Sequence, residues 1–349
     1  MSMKKRSFAS MIAALLTVAA LLAGCGAAGS GSGGSESSSP SGEAAKQPTY
    51  TFRLAESHPA DYPTTLGDKK FAELVHQKTN GRIKIEVFPS AQLGEEKAVI
   101  EQVQLGAIEF TRVSTGPLAE FNKAFGVFSL PYIFESEEHE WNFLNGPEAK
   151  QMLDGLSDSK FVGLAYYDSG ARSFYTRKPV TNIEDLKGMK IRVIQNKVNI
   201  DLMEALGASA TPMPYGDVFN SLQTGVIDGA ENNWPSYYTS KHFEQAKYYI
   251  LDGHQRVPEV LMASKVTWDK LSNEDKQAIQ EAATESIAYQ REQWKKFEKE
   301  SEDKVRAAGV TVTEVADLKP WQEAVKPMIE EYRSDFQEIL GAIENAKSK

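Results

Sequence analysis

The chain has 349 residues, room for two domains or lobes at roughly 100–200 residues each. With 41 % hydrophobic and 25 % charged side chains it has the composition of an ordinary globular protein, which excludes a fibrous or wholly disordered chain. A net charge of −9 argues against nucleic acid, whose phosphates need a basic footprint, and a single cysteine, Cys25, excludes a disulfide framework or thiolate metal cluster.

Lys4, Lys5 and Arg6 precede the apolar run Met11–Ala23, interrupted only by Thr17. These 13 residues are too few for a membrane span, which needs about 20, and match the roughly 7–15 of a signal-peptide core. Leu22-Ala23-Gly24-Cys25 resembles a bacterial lipobox, in which cleavage leaves the cysteine to be lipidated. The reading is a lipoprotein signal peptide over 1–24, the alternative being a plain secretory signal. Cleavage removes three positive charges, leaving 36 basic against 48 acidic residues, a net −12. The Gly- and Ser-rich stretch Gly26–Pro48 reads as a flexible tether spanning about 26 Å, so residues 25–49 connect an anchor to a folded body. No other apolar run is long enough to span a bilayer, so the chain is not itself a channel.

From residue 50 the hydrophobic period alternates between two and about 3.6. Strand Tyr50–Ala55, helix Thr64–Lys78, strand Arg82–Phe88, helix Glu95–Leu105 and strand Ala107–Val113 form a β-α-β-α-β series, which implies parallel strands with ligands at their carboxyl ends. A second series has strands at Phe161–Tyr167, Arg172–Thr176, Met189–Val193 and Ala210–Met213. Helices are expected at Lys197–Leu206, Gly216–Gln223 and Pro235–Phe243, and Pro258–Ser264 reads as a strand returning toward the first lobe. After the Ser272 cap, apolar residues from Ile279 to Val305 recur at multiples of three and four up to Gly309. That is one helix of about 50 Å crossing both lobes, or two helices broken near Lys299.

Catalytic motifs are absent. There is no Walker loop, no G-x-S-x-G elbow and no G-x-G-x-x-G after a strand. His139-Glu140 begins like a zinc-protease motif, but Phe143 stands where its second histidine is required, and the five histidines lack ligand spacing. Asp228 and Glu231 read as loop residues between the turn formers Gly229 and Asn232 rather than as an acid–base pair. The reading is a binding protein that uses no cofactor or metal.

Several ordered segments carry a family resemblance. They are Gly81–Gly94 with Glu95-Glu96, Leu130–Phe134, Tyr167–Arg172, Leu186–Val193, Ala205–Gly207 with Pro212–Pro214, and Gln223–Asn232. Over about 200 residues this pattern resembles the solute-binding subunits of tripartite ATP-independent periplasmic (TRAP) transporters. The resemblance implies a two-lobed α/β clamshell of the periplasmic-binding-protein kind with a long C-terminal helix across both lobes. One lobe is expected over about 50–160 plus C-terminal returns and the other over about 161–257.

The resemblance also assigns candidate ligand residues. Arg192 matches the family's carboxylate clamp, and a planar guanidinium fits two carboxylate oxygens. From spacing alone, an arginine in Ile191-Arg192-Val193 reads as an outward, solvated residue. Arg172 matches a second arginine for carboxylate or hydroxyl oxygens. Asn232 matches an asparagine that both donates and accepts. Glu96 matches an acidic position suited to hydroxyl protons, and Tyr215 an aromatic that packs on ligand or belongs to the core. Glu56 and His58, beyond the first strand, are expected to hold ligand hydroxyls, a capping role being the alternative. Ser114 at the end of the third strand is a weaker candidate.

The stretch Asp217–Tyr249 most resembles the branch that takes sugar acids. A uronate such as glucuronate or galacturonate is the first expectation, and a C4-dicarboxylate such as malate or succinate the second. The receptor would close on its ligand and pass it to a TRAP membrane permease, outside the cytoplasm and anchored through Cys25. A lipid-anchored hydrolase of sugar acids is the rival from another class, and a sensory receptor is a third reading.

Overall fold

The computed structural model describes residues 50–348. The expected leader, lipidated Cys25 and tether lie outside them. The first series forms as read: β1 (Tyr50–Ala55), β2 (Ile83–Phe88) and β3 (Phe110–Ser114) are joined by helices Pro63–Lys78 and Glu96–Gln104. They pair in parallel, as helical crossovers require. The remaining strands are β4 (Phe161–Tyr167), β5 (Ala171–Thr176), β6 (Lys190–Val193), β7 (Ser209–Pro212), β8 (Gly229–Asn232), β9 (Tyr248–Leu251), β10 (Gln255–Arg256), β11 (Glu259–Ser264) and β12 (Thr311–Glu314).

Two sheets result, one per lobe. The first has the order β2-β1-β3-β11-β4, and the second β12-β9-β5-β8-β6-β7 with β10 beside β5. β11 returns to the first sheet as expected, antiparallel to both β3 and β4. The lobe boundaries differ from the expectation. β4 belongs to the first sheet, so the chain crosses at Asp168-Ser169-Gly170 rather than near residue 160, and β12 adds a strand to the second sheet well beyond residue 257.

Two further expectations fail for tertiary reasons. Gly229–Asn232 is not a loop but the strand β8, buried between β5 and β6. A Cβ on Gly229 would stand 2.6 Å from the carbonyl oxygen of Tyr175, so glycine here permits close approach of strands rather than a turn. The helix expected over Pro235–Phe243 is two, Trp234–Thr239 and His242–Gln245, divided where Lys241 takes a left-handed φ of 58°. Helices Glu137–Leu144 and Pro147–Gly155 and the C-terminal pair Lys319–Tyr332 and Gln337–Asn345 add to the expected set.

Helix Asn273–Ala307 is unbroken over 35 residues, about 50 Å. The Ser272 hydroxyl accepts from the Asp275 amide at its start, satisfying one of the first-turn donors. It packs on Pro63–Lys78 and β4 in one lobe and on Trp234–Thr239 in the other. Ile279, Ala282 and Ala283 share a core with Phe71, Phe110 and Tyr167. Val305, near the far end, enters the second lobe's core with Trp234, Tyr237 and Tyr249. Each large side chain so buried contributes roughly 1.5–3 kcal/mol, so the helix is fastened to both lobes.

Between those ends Gln290 is fully buried at the crossing. Its side-chain oxygen accepts from the Asp168 amide at 2.8 Å, and its Nε2 donates to the Asp168 carbonyl at 2.9 Å. Both bonds hold irregular backbone, which has no sheet partner to replace them. Replacing Gln290 with Ala strands both groups away from water. Urea denaturation should show a loss of about 2–4 kcal/mol, and an unchanged midpoint would mean that the crossing is held by other contacts.

Candidate ligand-binding site

The lobes face each other across a small polar cavity at the carboxyl ends of β1, β3 and β6. They touch around it. Tyr62, at the entry to Pro63–Lys78, hydrogen-bonds Ser236 across the gap at 2.8 Å. Asn196 donates to the Gly116 carbonyl at 3.2 Å and to the Ser129 hydroxyl at 3.0 Å. Gly116 has no room for a side chain, because a Cβ there would lie 2.6 Å from Ile194 Cγ2 of the other lobe. The arrangement is the closed one.

The second lobe supplies the cationic wall. Arg192 on β6 is 4 % exposed. Its Nε and Nη2 donate to the Met213 carbonyl at 3.1 and 2.9 Å, and among the described residues no carboxylate lies within ion-pair distance. Burial lowers its pKa from the ordinary guanidinium value. The Met213 carbonyl occupies one edge of the fork, so Nη1 and the second Nη2 proton are left for a bidentate acceptor. Arg172, on β5 with β8 between it and β6, differs. Its Nε and Nη2 grip Glu231 at 2.5 and 3.0 Å, and Nη1 donates to Asn232 Oδ1 at 2.9 Å. Burial pulls the Arg172 pKa down, but the charge and hydrogen bonds of Glu231 outweigh it and the net shift is upward.

Asn232 is correspondingly oriented. Its side-chain oxygen accepts from Arg172 and from the Asn233 amide at 2.9 Å, so the NH2 group is what remains for a ligand. The expectation that it would both donate and accept is thereby narrowed to donation. Tyr215 lines the same cavity, tilted against His58 with ring centroids 5.5 Å apart and donating to the Ser236 carbonyl at 3.2 Å.

The first lobe supplies an acceptor wall organised by Arg112 on β3. This arginine is 1 % exposed and uses all five of its protons. Nε and Nη2 bind Glu56, Nη2 also binds Ser57 at 2.9 Å and His58 Nδ1 at 2.7 Å, and Nη1 binds Glu96 at 2.9 Å and Glu259 at 2.7 Å. His58 Nδ1 thus lies between two opposed partners, Arg112 Nη2 at 2.7 Å, which donates, and Glu56 Oε1 at 3.1 Å, which accepts. Burial pushes the His58 pKa below its ordinary value, which keeps the ring neutral. The ring stacks on Tyr62 at 4.0 Å. Glu96 Oε1 also accepts from the Ser114 amide at 3.0 Å, while the Ser114 hydroxyl caps Gly116. Burial, reinforced by the Glu259 charge, raises the Glu96 pKa to about 7.

The cavity thus assembles seven of the eight expected residues, Arg192, Arg172, Asn232, Glu96, His58, Tyr215 and Ser114. Glu56 is not among its lining. Its carboxylate turns inward to Arg112, Thr64 and the His58 amide, so it positions the loop instead of facing the cavity. Sequence reasoning missed Arg112, Glu259, Ser57, Asn233 and Ser236. Arg112 and Ser114 lie two apart on one strand, a spacing that places both on one face and was available to find the arginine. Nothing local marked Glu259, which arrives from about 145 residues away.

Two outcomes follow. A Val at Gly116 should clash with Ile194 only when the lobes close. Ligand affinity should fall at least tenfold by calorimetry while the ligand-free melting temperature moves by less than about 3 °C; equal affinity would show that closure does not require this contact. The Glu96 carboxyl, with a folded pKa near 7 against an ordinary 4.5, keeps a proton that the unfolded chain has lost. Its contribution is fully present below pH 4.5 and vanishes as pH rises through 7. Ligand-free protein should lose melting temperature between pH 5 and 8, and Glu96→Gln should lose less; parallel profiles would refute the assignment.

Comparison with known proteins agrees with this geometry. Residues 54–335 match the family described as bacterial extracellular solute-binding protein, family 7. A TRAP periplasmic solute-binding protein of Xanthobacter autotrophicus, solved with bound β-D-galacturonate, is 44 % identical with a TM-score of 0.82, covering 85 % of this chain and 99 % of its own. One from Pseudomonas putida, solved with bound D-glucuronate, is 40 % identical with a TM-score of 0.83, covering 84 % and 97 %. A C4-dicarboxylate-binding periplasmic protein of Rhodobacter capsulatus is 32 % identical over 83 % of this chain and 88 % of its own. With a long helix bound to two α/β lobes and buried arginines between them, the chain belongs to bacterial extracellular solute-binding protein family 7, and it is a TRAP-type solute receptor rather than an enzyme.

Proposed function

We propose that this receptor captures a hexuronate, glucuronate or galacturonate, and delivers it to a TRAP permease in the membrane. The observation that carries the reading is Arg192, a buried guanidinium with two bonds to one carbonyl and, among the described residues, no carboxylate partner. An unpaired buried charge is costly, and one carboxylate placed on its open fork removes the cost. Arg172 adds its remaining Nη1 proton and Asn232 its amide protons. The far wall presents Glu96, Glu259, His58, Ser57 and Ser114, which suit hydroxyl groups, and Tyr215 closes the site against a sugar ring. One open cation on one side and two carboxylates among hydroxyl and imidazole groups on the other describe a monoanion rich in hydroxyls. The uronates bound by the Xanthobacter and Pseudomonas proteins support the same class.

The ligand bridges both lobes and favours closure through contacts that exist only in the closed form. We place the protein on the outer face of the membrane or in the periplasm, released from its leader over 1–24 and held through Cys25. Residues 25–49 then act as the flexible link that lets the two-lobed body reach the permease.

Arg192→Met tests the assignment. Removing the open fork should weaken glucuronate or galacturonate binding at least 100-fold by calorimetry, about 3 kcal/mol. The ligand-free melting temperature should hold or rise, because an unpaired buried charge has been replaced by an apolar chain. Wild-type affinity in this variant would sink the reading. Tighter binding of malate or succinate than of either uronate by the unaltered protein would keep the receptor and replace its ligand.

A further inference from the structure

Arg112 lies behind the ligand cavity's wall, bonded to Ser57, His58, Glu96 and Glu259, which line it. Its single Nε proton and four Nη protons are spent on Glu56, Ser57, His58, Glu96 and Glu259. One positive charge therefore faces three carboxylates, and no N–H remains to receive a second ligand carboxylate. Two of those carboxylates converge on a single nitrogen, Arg112 Nη1, at 2.9 Å for Glu96 Oε1 and 2.7 Å for Glu259 Oε2. Glu96 Oε2 and Glu259 Oε1 have no protein donor among the described residues, and both side chains line the cavity.

Glu259 is held rigidly in this role. It opens β11, where the register sets it opposite Ser114 of β3 and Tyr167 of β4. It is 5 % exposed, and the neighbouring Pro258 carbonyl is fixed by the Thr115 amide at 3.1 Å. A strand inside a sheet holds a side chain more firmly than a loop does, so the Glu259 carboxylate is held beside that of Glu96 on the same Arg112 nitrogen.

We infer that Glu259, bound with Glu96 to one nitrogen of Arg112, is the specificity-determining residue in the first lobe's wall of the cavity, accepting ligand hydroxyls and rejecting a second carboxylate. The inference rests on the sugar-acid reading and names what distinguishes sugar monoacids from diacids of the same carbon skeleton. Hydroxyl groups donate to both outward oxygens. A carboxylate in the same place has nothing to donate to Glu259, finds no open cation on Arg112 and lies against the Glu259 carboxylate. Discrimination built on unpaired buried groups is strong, because the wrong ligand leaves both sides without partners. The rise of the Glu96 pKa through burial and then the Glu259 charge agrees with the two carboxylates sensing each other.

The test uses galacturonate, galactonate and galactarate, titrated calorimetrically at pH 7.5. Galactonate and galactarate differ only in a terminal CH2OH or carboxylate, so their affinity ratio reads the charge at that end. The wild-type protein should prefer galactonate to galactarate at least 30-fold. In Glu259→Gln the ratio should shrink at least tenfold, with galacturonate weakened and galactarate strengthened. Glu259→Asp keeps the charge but withdraws the oxygen, so galacturonate affinity should fall at least fivefold while galactarate stays excluded. Circular-dichroism melts establish that each variant is folded. An unchanged ratio in folded Glu259→Gln, or wild-type galacturonate affinity in Glu259→Asp, overturns the inference and leaves the uronate receptor standing. Failure of the wild-type protein to bind any of the three sugar acids overturns both.

Discussion

A guanidinium withdrawn from water is stable only where acceptors replace its hydration, and that requirement organises the cleft. Arg112 and Arg172 meet it within the protein, one through a ring of carboxylates on the first lobe and the other through Glu231 on the second. Arg192 does not. Its environment includes a carbonyl, the charge of Glu231, which is already bonded to Arg172, the charge of Arg172 itself and a neutral His242, whose pKa burial and the Arg192 charge push down to about 3. The protein thereby keeps one site of uncompensated positive potential, at the point where the lobes come together. An anion that fills it relieves a strain the closed form otherwise carries.

Closure and cleft chemistry are coupled through the backbone of the crossing. Asp168 follows β4, the last strand of the first sheet, and Ala171 opens β5 in the second. Gln290 holds Asp168 from the long helix, and the same helix is bonded by packing to both lobes. Relative motion of the lobes must therefore bend or slide against this strut. A long helix resists bending because each turn is hydrogen-bonded to the next. This favours a limited swing between defined arrangements, with the glycine at 116 as one point where the opposing surfaces meet closely.

The strands and helices up to Val113 were legible because their periodicities are strong and their partners local. β8 was not: Asp228-Gly229 and Glu231-Asn232 have the composition of a turn, and only burial between β5 and β6 makes a strand of them. The same is true of the candidate site. Arg192, Arg172 and Asn232 stood out through a family pattern, while their states did not. That Arg172 is committed to Glu231 and Arg192 is open depends on contacts some 59 and 21 residues apart in the chain.

The sequence by itself determined the number and type of most elements, the two-lobed class, and which arginines belong to the cleft. Only the tertiary structure decided how charge is shared. Pairing β11 between β3 and β4 brings Glu259 to Arg112 across 147 positions, and this completes the set of acceptors around an arginine that sequence reasoning passed over. Local pattern fixes which face of a strand a side chain takes, because that depends on neighbours two residues away. Electrostatic partnership depends on distance through space, which sheet order sets and periodicity does not encode.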